Sequence, residues 1–419
     1  MAKRFTFIIL IAMIIGIVTG ATFNAQISDP AQLNAIADAL ATVTDVFLRM
    51  IKMIIAPLVF TTLVSGIAHM GDSSALGRIG LRTMGWFLGA SVLSLLVGIV
   101  MVSILQPGVG LGLELPDAGA SAGLATQDFT LKGFLTHLVP TSAVKAMADN
   151  EILQIVIFSL FFGTAMAALG EKTKGLAHLI EEGAQVMLRV TGYVMLFAPI
   201  AVFAAVAATV TTRGLGILIT YGKFIGGFYL ALAVLWGLLM LAGYLVIGRR
   251  VGRLSSMIRT PILLAFSTAS SEAAYPRTLE QLQNFGVPKR IASFVLPLGY
   301  SFNLDGSMMY CTFATLFIAQ AYGIDLSIGQ QATMLLLLMV TSKGMAGVPR
   351  ASLVVIAATL GHFKIPEAGL LLILAIDQFL DMARSATNVL GNSIATSVVA
   401  KWEGALGPED AERPSAASG

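Results

Sequence analysis

Charge is scarce in this sequence: 12% of its 419 residues are Asp, Glu, Lys or Arg, about half the share of a soluble domain. Hydrophobic residues make up 56% and mean hydropathy is +0.84, so water cannot be the main solvent for the chain. The net charge is only +3, and the basic residues fall in short clusters rather than in a stripe able to track phosphates, which argues against a nucleic-acid partner. A single cysteine, Cys311, excludes a disulfide framework or a thiolate metal site within one chain, and its apolar neighbourhood reads as that of a small buried side chain. The four histidines, His69, His137, His178 and His362, show no metal-ligand spacing, and neither a glycine-flanked serine elbow nor a phosphate-cradling loop occurs. Neither an enzyme nor a cofactor is expected.

What the chain has instead is apolar length. Segments able to cross a bilayer run over about 5–23, 43–69, 83–105, 152–169, 186–210, 221–247, 291–322 and 370–400, eight in all. The first, after Lys3 and Arg4, resembles a secretory signal, but it has no convincing small-residue cleavage site and reads as a retained helix. Lys3, Arg4, Arg78, Arg82, Lys172, Lys174, Arg249, Arg250, Arg253, Lys289, Arg290 and Lys401 all fall on one side of the alternation. The positive-inside rule makes that side cytoplasmic, with both termini there, in a multi-pass protein of a bacterial inner membrane. Two further apolar segments are interrupted: 258–282 by Ser267, Thr268, Ser270 and Ser271, and 330–360 by the stretch 342–352. Each reads as a re-entrant helical hairpin, and broken helices in corresponding halves point to a midplane substrate site. Residues 403–419, with acidic and small side chains, read as a disordered cytoplasmic tail.

The chemistry concentrates on a few residues. Asp377, Asp381, Arg384, Asn388 and Asn392 recur at three- and four-residue spacing and share one helical face. Charge in an apolar helix must face protein, ligand or water. Arg384 offers a planar fork of donors to a carboxylate, and Asp381, a turn earlier, accepts hydrogen bonds from an ammonium. Asn303, Leu304, Asp305, Gly306 and Ser307 interrupt the seventh span with residues a helix interior disfavours, which predicts local unwinding and oxygen atoms free for a monovalent cation. The first hairpin tip, 267–276, offers hydroxyls and amides suited to a carboxylate, with Glu272 beside it as a carboxyl that burial could protonate or Arg277 could pair. The second tip, 344–352, combines glycines and a proline as a gate would.

The serine-rich tip at Ser270 and Ser271, the run Asn303 to Ser307, Ala346-Gly347-Val348-Pro349, and Asp381-Met382-Ala383-Arg384-Ser385 with Asn388 resemble the dicarboxylate/amino acid:cation symporter family across nearly the whole chain. That family includes bacterial glutamate and aspartate carriers, bacterial C4-dicarboxylate carriers and animal excitatory amino acid transporters, and its bacterial proton/sodium-glutamate symporters are the nearest in kind. The resemblance implies an all-α integral membrane fold of eight transmembrane helices and two re-entrant hairpins, assembled as a homotrimer in lipid. A scaffold (about 1–75 and 150–215) would hold a transport domain (about 79–106 and 216–402) that slides as an elevator. It further implies that Arg384 binds the side-chain carboxylate and Asp381 the amino group, while Ser270, Ser271, Ser307, Ser385, Asn388 and the amides of Gly347 and Val348 complete the pocket. C4-dicarboxylate members tend to place serine where this chain has Asp381, which favours an acidic amino acid as the solute.

Departures concern the coupling ion. Sodium-coupled members have an aspartate where this chain has Asn392, and a tyrosine and a threonine where it has Phe87 and Ala90; only Ser91 matches there. Ser91, Asn303, Asp305, Asn388 and Asn392 are the candidate sodium ligands, whereas Glu272, Asp305 and Asp381 are candidate proton carriers, since the proton-coupled members also have asparagine at 392. Arg350 replaces a glycine usual in the second tip, and no physical reason for it is visible. The expectation is a symporter of L-glutamate or L-aspartate driven by protons or sodium, with C4-dicarboxylate symport as the alternative and an anion channel as the rival from another class.

Overall fold

A computed structural model describes residues 2–68, 73–110, 136, 139–214, 221–341, 351–374 and 376–408, and these contain helices but no strand. In order they are α1 (Ala2–Gln26), α2 (Pro30–Ala68), α3 (Ser73–Leu105), α4 (Ala143–Ala148), α5 (Ile152–Leu169), α6 (Lys174–Met195), α7 (Ala198–Arg213), α8 (Gly222–Ile247) and α9 (Arg250–Met257). Then follow α10 (Arg259–Thr268), α11 (Ser271–Phe285), α12 (Lys289–Phe302), α13 (Asp305–Ala321), α14 (Ile328–Thr341), α15 (Ala351–His362), α16 (Leu370–Leu374) and α17 (Asp377–Trp402).

Among the described residues, five segments are long and apolar enough to cross a membrane: Phe7–Gln26, Pro30–Ala68, Gly77–Leu105, Ile152–Met195 and Gly222–Ile247. The helix α17 is 26 residues long, a spanning length, but its polar stripe lowers its hydropathy. The expected span 186–210 is divided. It ends one helix at Met195 and starts another at Ala198, because Pro199 has no amide hydrogen to continue a helix and suits its first turn. Apolar side chains do not drive helices together in lipid, so close backbone approach matters there. On α1, a Cβ at Gly16 would lie 2.8 Å from the Phe203 carbonyl oxygen of α7, and one at Gly20 would lie 2.7 Å from that of Ala207. Asn24 extends the seam by donating to the Thr211 carbonyl at 2.9 Å.

Helices α1, α2, α5, α6 and α7 pack through α2 and α7, and a second group surrounds α17, which touches α3, α8, α10, α11, α12 and α13. The groups meet where α2 and α5 lie against α12 and where α1 and α7 lie against α10. Within the second group both described interruptions fall where the polar runs predicted. The helix α10 stops at Ala269, whose φ of 49° is left-handed, and Ser270 caps α11 by accepting the Ala273 amide at 3.2 Å. Asn303 and Leu304 leave helical geometry between α12 and α13. The second hairpin is represented by α14 and α15, which touch each other; its tip, 342–350, lies outside the described residues.

The tail expected over 403–419 behaves differently in its first residues. Glu403, whose side chain is 5% exposed, pairs with Arg78 at 3.0 Å and Arg82 at 2.8 Å. Arg82 also donates to the Trp402 carbonyl, and Trp402 packs edge-on against Trp86. Arg250 donates to Gly407 O at 2.8 Å, and the Gly407 amide donates to Gly286 O at 2.9 Å. Residues 402–407 thus fasten α3, α9 and the end of α11 to α17.

Candidate functional site

The shared face of α17 turns inward around Arg384, whose residue is 1% exposed. Its Nη2 lies 3.1 Å from Asp377 Oδ1 and 3.0 Å from Asp381 Oδ1. The guanidinium also sits over the Tyr310 ring, 4.1 Å from its centroid, and the Tyr310 hydroxyl donates to Asp377 Oδ1 at 3.3 Å. Nε and Nη1 have no hydrogen-bond partner. A buried cation with two unmet donors beside a counter-charge is a costly arrangement that an incoming anion would relieve. Asp377 is buried, whereas the Asp381 side chain is 34% exposed, so one acid is part of the wall and the other faces outward.

Asn388, one turn further along α17, joins three elements. Its Oδ1 accepts the amides of Gly306 at 2.9 Å and Ser307 at 3.4 Å, capping α13. Its Nδ2 donates to Ser271 Oγ and Ser307 Oγ, both at 3.3 Å. Ser271 in turn donates to the Ser385 carbonyl at 3.3 Å, which holds the first hairpin tip against α17. The close fit of α13 on α17 depends on Gly306, where a Cβ would lie 2.6 Å from Arg384 O. On the other side of α17, α8 braces the same turns through Trp236 Nε1 to Thr387 Oγ1 and Tyr229 OH to Phe379 O, both at 2.8 Å.

A second polar cluster forms behind the helix break. Asn303 and Asp305 are fully buried, and Asn303 Nδ2 donates to Asp305 Oδ2 at 2.9 Å and Asn392 Oδ1 at 3.2 Å. Ser94 of α3 contacts Asp305 Oδ1 at 3.2 Å. Two glycines make room: a Cβ at Gly391 would lie 1.8 Å from Asp305 Oδ2, and one at Gly299 would lie 2.2 Å from Asn392 Oδ1.

The structure therefore brings Ser271, Ser307, Ser385, Asn388, Asp381 and Arg384 together, and gathers Asn303, Asp305 and Asn392 a short way off. Ser270 spends its hydroxyl oxygen on the helix cap. Gly347, Val348 and Arg350 lie outside the described residues. Glu272 is in the first turn of α11 and lines a narrow crevice with Val59, Ile152, Tyr275 and Tyr300. Arg277, considered as its partner, bonds Glu280. Sequence reasoning missed Tyr310 and Ser94. Tyr310 lies three residues after Ser307 on one helical face, and Ser94 three after the buried Ser91, so the helical period carried both signals.

A chain whose described residues are helical, with several helices long and apolar enough to cross a membrane and a buried, partly unsatisfied charge cluster, belongs to the class of multi-pass membrane proteins that handle polar solutes. Residues 5–402 match the sodium:dicarboxylate symporter family. The chain is 40% identical over 407 residues to the proton/sodium-glutamate symport protein of Geobacillus stearothermophilus, covering 96% of this chain and 95% of that one. It is 40% identical over 405 residues to the proton/glutamate-aspartate symporter of Escherichia coli K12, covering 94% and 92%. It is also 42% identical over 380 residues to a C4-dicarboxylate transport protein of Geobacter sp. M21, covering 88% and 85%. The chain belongs to the sodium:dicarboxylate symporter family, a family of transporters and not of enzymes, and is a cation-coupled symporter of the bacterial membrane.

Proposed function

We propose that this symporter carries acidic amino acids, L-glutamate or L-aspartate, with protons or sodium as the coupling ion. The observation that carries this reading is the pair Arg384 and Asp381. Two unpartnered donors on a buried guanidinium suit a carboxylate, and an acid on the same turn, a third exposed, suits an ammonium. Asp381 rests on Arg384 at 3.0 Å. A solute carboxylate that competes for Arg384 releases Asp381, and a solute that brings its own ammonium gives that acid a new partner. A C4-dicarboxylate brings none and would leave Asp381 uncompensated, which ranks it second even though relatives bear both names.

Ser271 and Ser307 meet Asn388 one turn from this pair, and the family resemblance would add the amides of Gly347 and Val348. The first helix group is read as the scaffold of a homotrimer in the inner membrane, with both termini cytoplasmic. The group around α17, including residues to 407, is read as the elevator, with eight spans and two re-entrant hairpins in all. A channel is disfavoured because a permanently open path has no use for a buried guanidinium with unmet donors beside its acid. Uptake of glutamate, aspartate and succinate into proteoliposomes, with sodium and pH gradients imposed independently, tests the reading. Concentrative glutamate uptake with either gradient supports it. Conductance without accumulation, or succinate accumulation without glutamate transport, refutes it.

A further inference from the structure

We propose that Ser94 is a ligand of the coupling cation, supplying from α3 a hydroxyl oxygen to a sodium ion held at Asp305. The proposal rests on the cation-coupled reading above and adds a residue to it. Ser94 is fully buried and its Oγ has two acceptor neighbours, Ala90 O at 2.8 Å and Asp305 Oδ1 at 3.2 Å. A hydroxyl has one proton. Several buried hydroxyls of this protein give theirs to the carbonyl four residues back: Thr83 at 2.7 Å, Ser159 at 2.6 Å and Ser393 at 2.7 Å. The shorter Ser94 contact has the same form, so its one proton is divided between Ala90 O and Asp305 Oδ1. A cation at Asp305 would leave that proton with Ala90 and turn a lone pair of Ser94 to the ion.

A second observation points to the same charge. Asn303 directs its amide nitrogen at two acceptors, Asp305 Oδ2 and Asn392 Oδ1, which fixes the orientation of the amide. Its Oδ1 is left without a hydrogen-bond partner although the residue is fully buried. An orphaned carbonyl oxygen, a hydroxyl lone pair and a carboxylate within one sealed cluster all gain from a positive charge. The spacing suits an ion: two oxygens each about 2.4 Å from a hard cation and at right angles around it lie about 3.4 Å apart, close to the 3.2 Å between Ser94 Oγ and Asp305 Oδ1. One carboxylate among neutral oxygens matches a single charge better than a double one.

The test uses the full-length protein, purified in detergent without substrate, and reads its thermal unfolding midpoint against sodium chloride, with choline chloride holding ionic strength constant. Sodium is expected to raise the midpoint of the unaltered protein. Ser94→Ala and Ser94→Cys are expected to raise the half-effective sodium concentration by about tenfold, the equivalent of one lost contact to a charge. Sulfur is a poor ligand for a hard ion, so the cysteine variant keeps the volume while losing the oxygen. Ser103→Ala removes the same kind of bond, to Ile99 O at 2.8 Å, from an exposed position, and should leave the sodium response unchanged. A sodium response retained in both Ser94 variants overturns the proposal, as does a protein whose midpoint answers to pH but not to sodium. Failure to bind glutamate while the sodium response and its dependence on Ser94 persist would refute the substrate reading alone.

Discussion

Replacing Asp381 with serine separates the two solute classes, and the size of the effect follows from the charge pair. With both acids ionised, Arg384, Asp377 and Asp381 carry one net negative charge, and Arg384 Nη2 is shared between two carboxylates at 3.1 and 3.0 Å. An amino-acid ammonium on Asp381 makes a charge-assisted hydrogen bond, worth about 1.5–3 kcal/mol. Its loss corresponds to about 10- to 150-fold in affinity. Succinate has no such contact to lose. For it the substitution removes an anion that competes for Arg384 and repels the incoming dianion, so succinate binding should hold or tighten. Glutamate and succinate dissociation constants, measured by calorimetry on Asp381→Ser and on the unaltered protein at one sodium concentration and pH, give the comparison. Equal losses for both solutes would refute the placement of the ammonium on Asp381.

Three other substitutions address the parts around that pair. Arg384→Ala should abolish uptake of every acidic solute, because a carboxylate leaving water without a charge partner faces a penalty of several kcal/mol; glutamate affinity preserved in that variant would contradict the site. Gly391→Ala, which places a Cβ 1.8 Å from Asp305 Oδ2, should destabilise the fold by about 1–3 kcal/mol and weaken the sodium response, whereas Gly226→Ala, with open space around it, should be neutral or stabilising in thermal unfolding. Glu403→Gln weakens the pairs with Arg78 and Arg82. Because both arginines are over a third exposed, a loss of about 1 kcal/mol is expected, read as a lowered unfolding midpoint, and an unchanged midpoint would show that the Glu403 pairs do not brace α17.

The sequence exposed these features unequally, for physical reasons. The spacing of Asp377, Asp381, Arg384, Asn388 and Asn392 was legible because a helix has a fixed period and intramembrane polarity is expensive. The breaks at Ala269 and at Asn303–Leu304 were legible because serine, asparagine and aspartate compete with helix hydrogen bonds. The pairing of Ser94 with Asp305 was not, because 211 residues separate them and only the packing of α3 on α13 joins them. The role of Glu403 was hidden for a similar reason: a lone acid in a polar tail looks solvated until Arg78 and Arg82, more than 300 residues earlier, are brought to it. Tyr310 was missed because an aromatic in an apolar helix reads as core, and only a cation stacked on its face distinguishes it. Each missed residue acts on a charged group that the sequence did reveal. Arg384 and Asp305 mark where charge is buried, and the partners supplied by other helices determine whether that charge is already matched within the protein or still open to a solute or an ion.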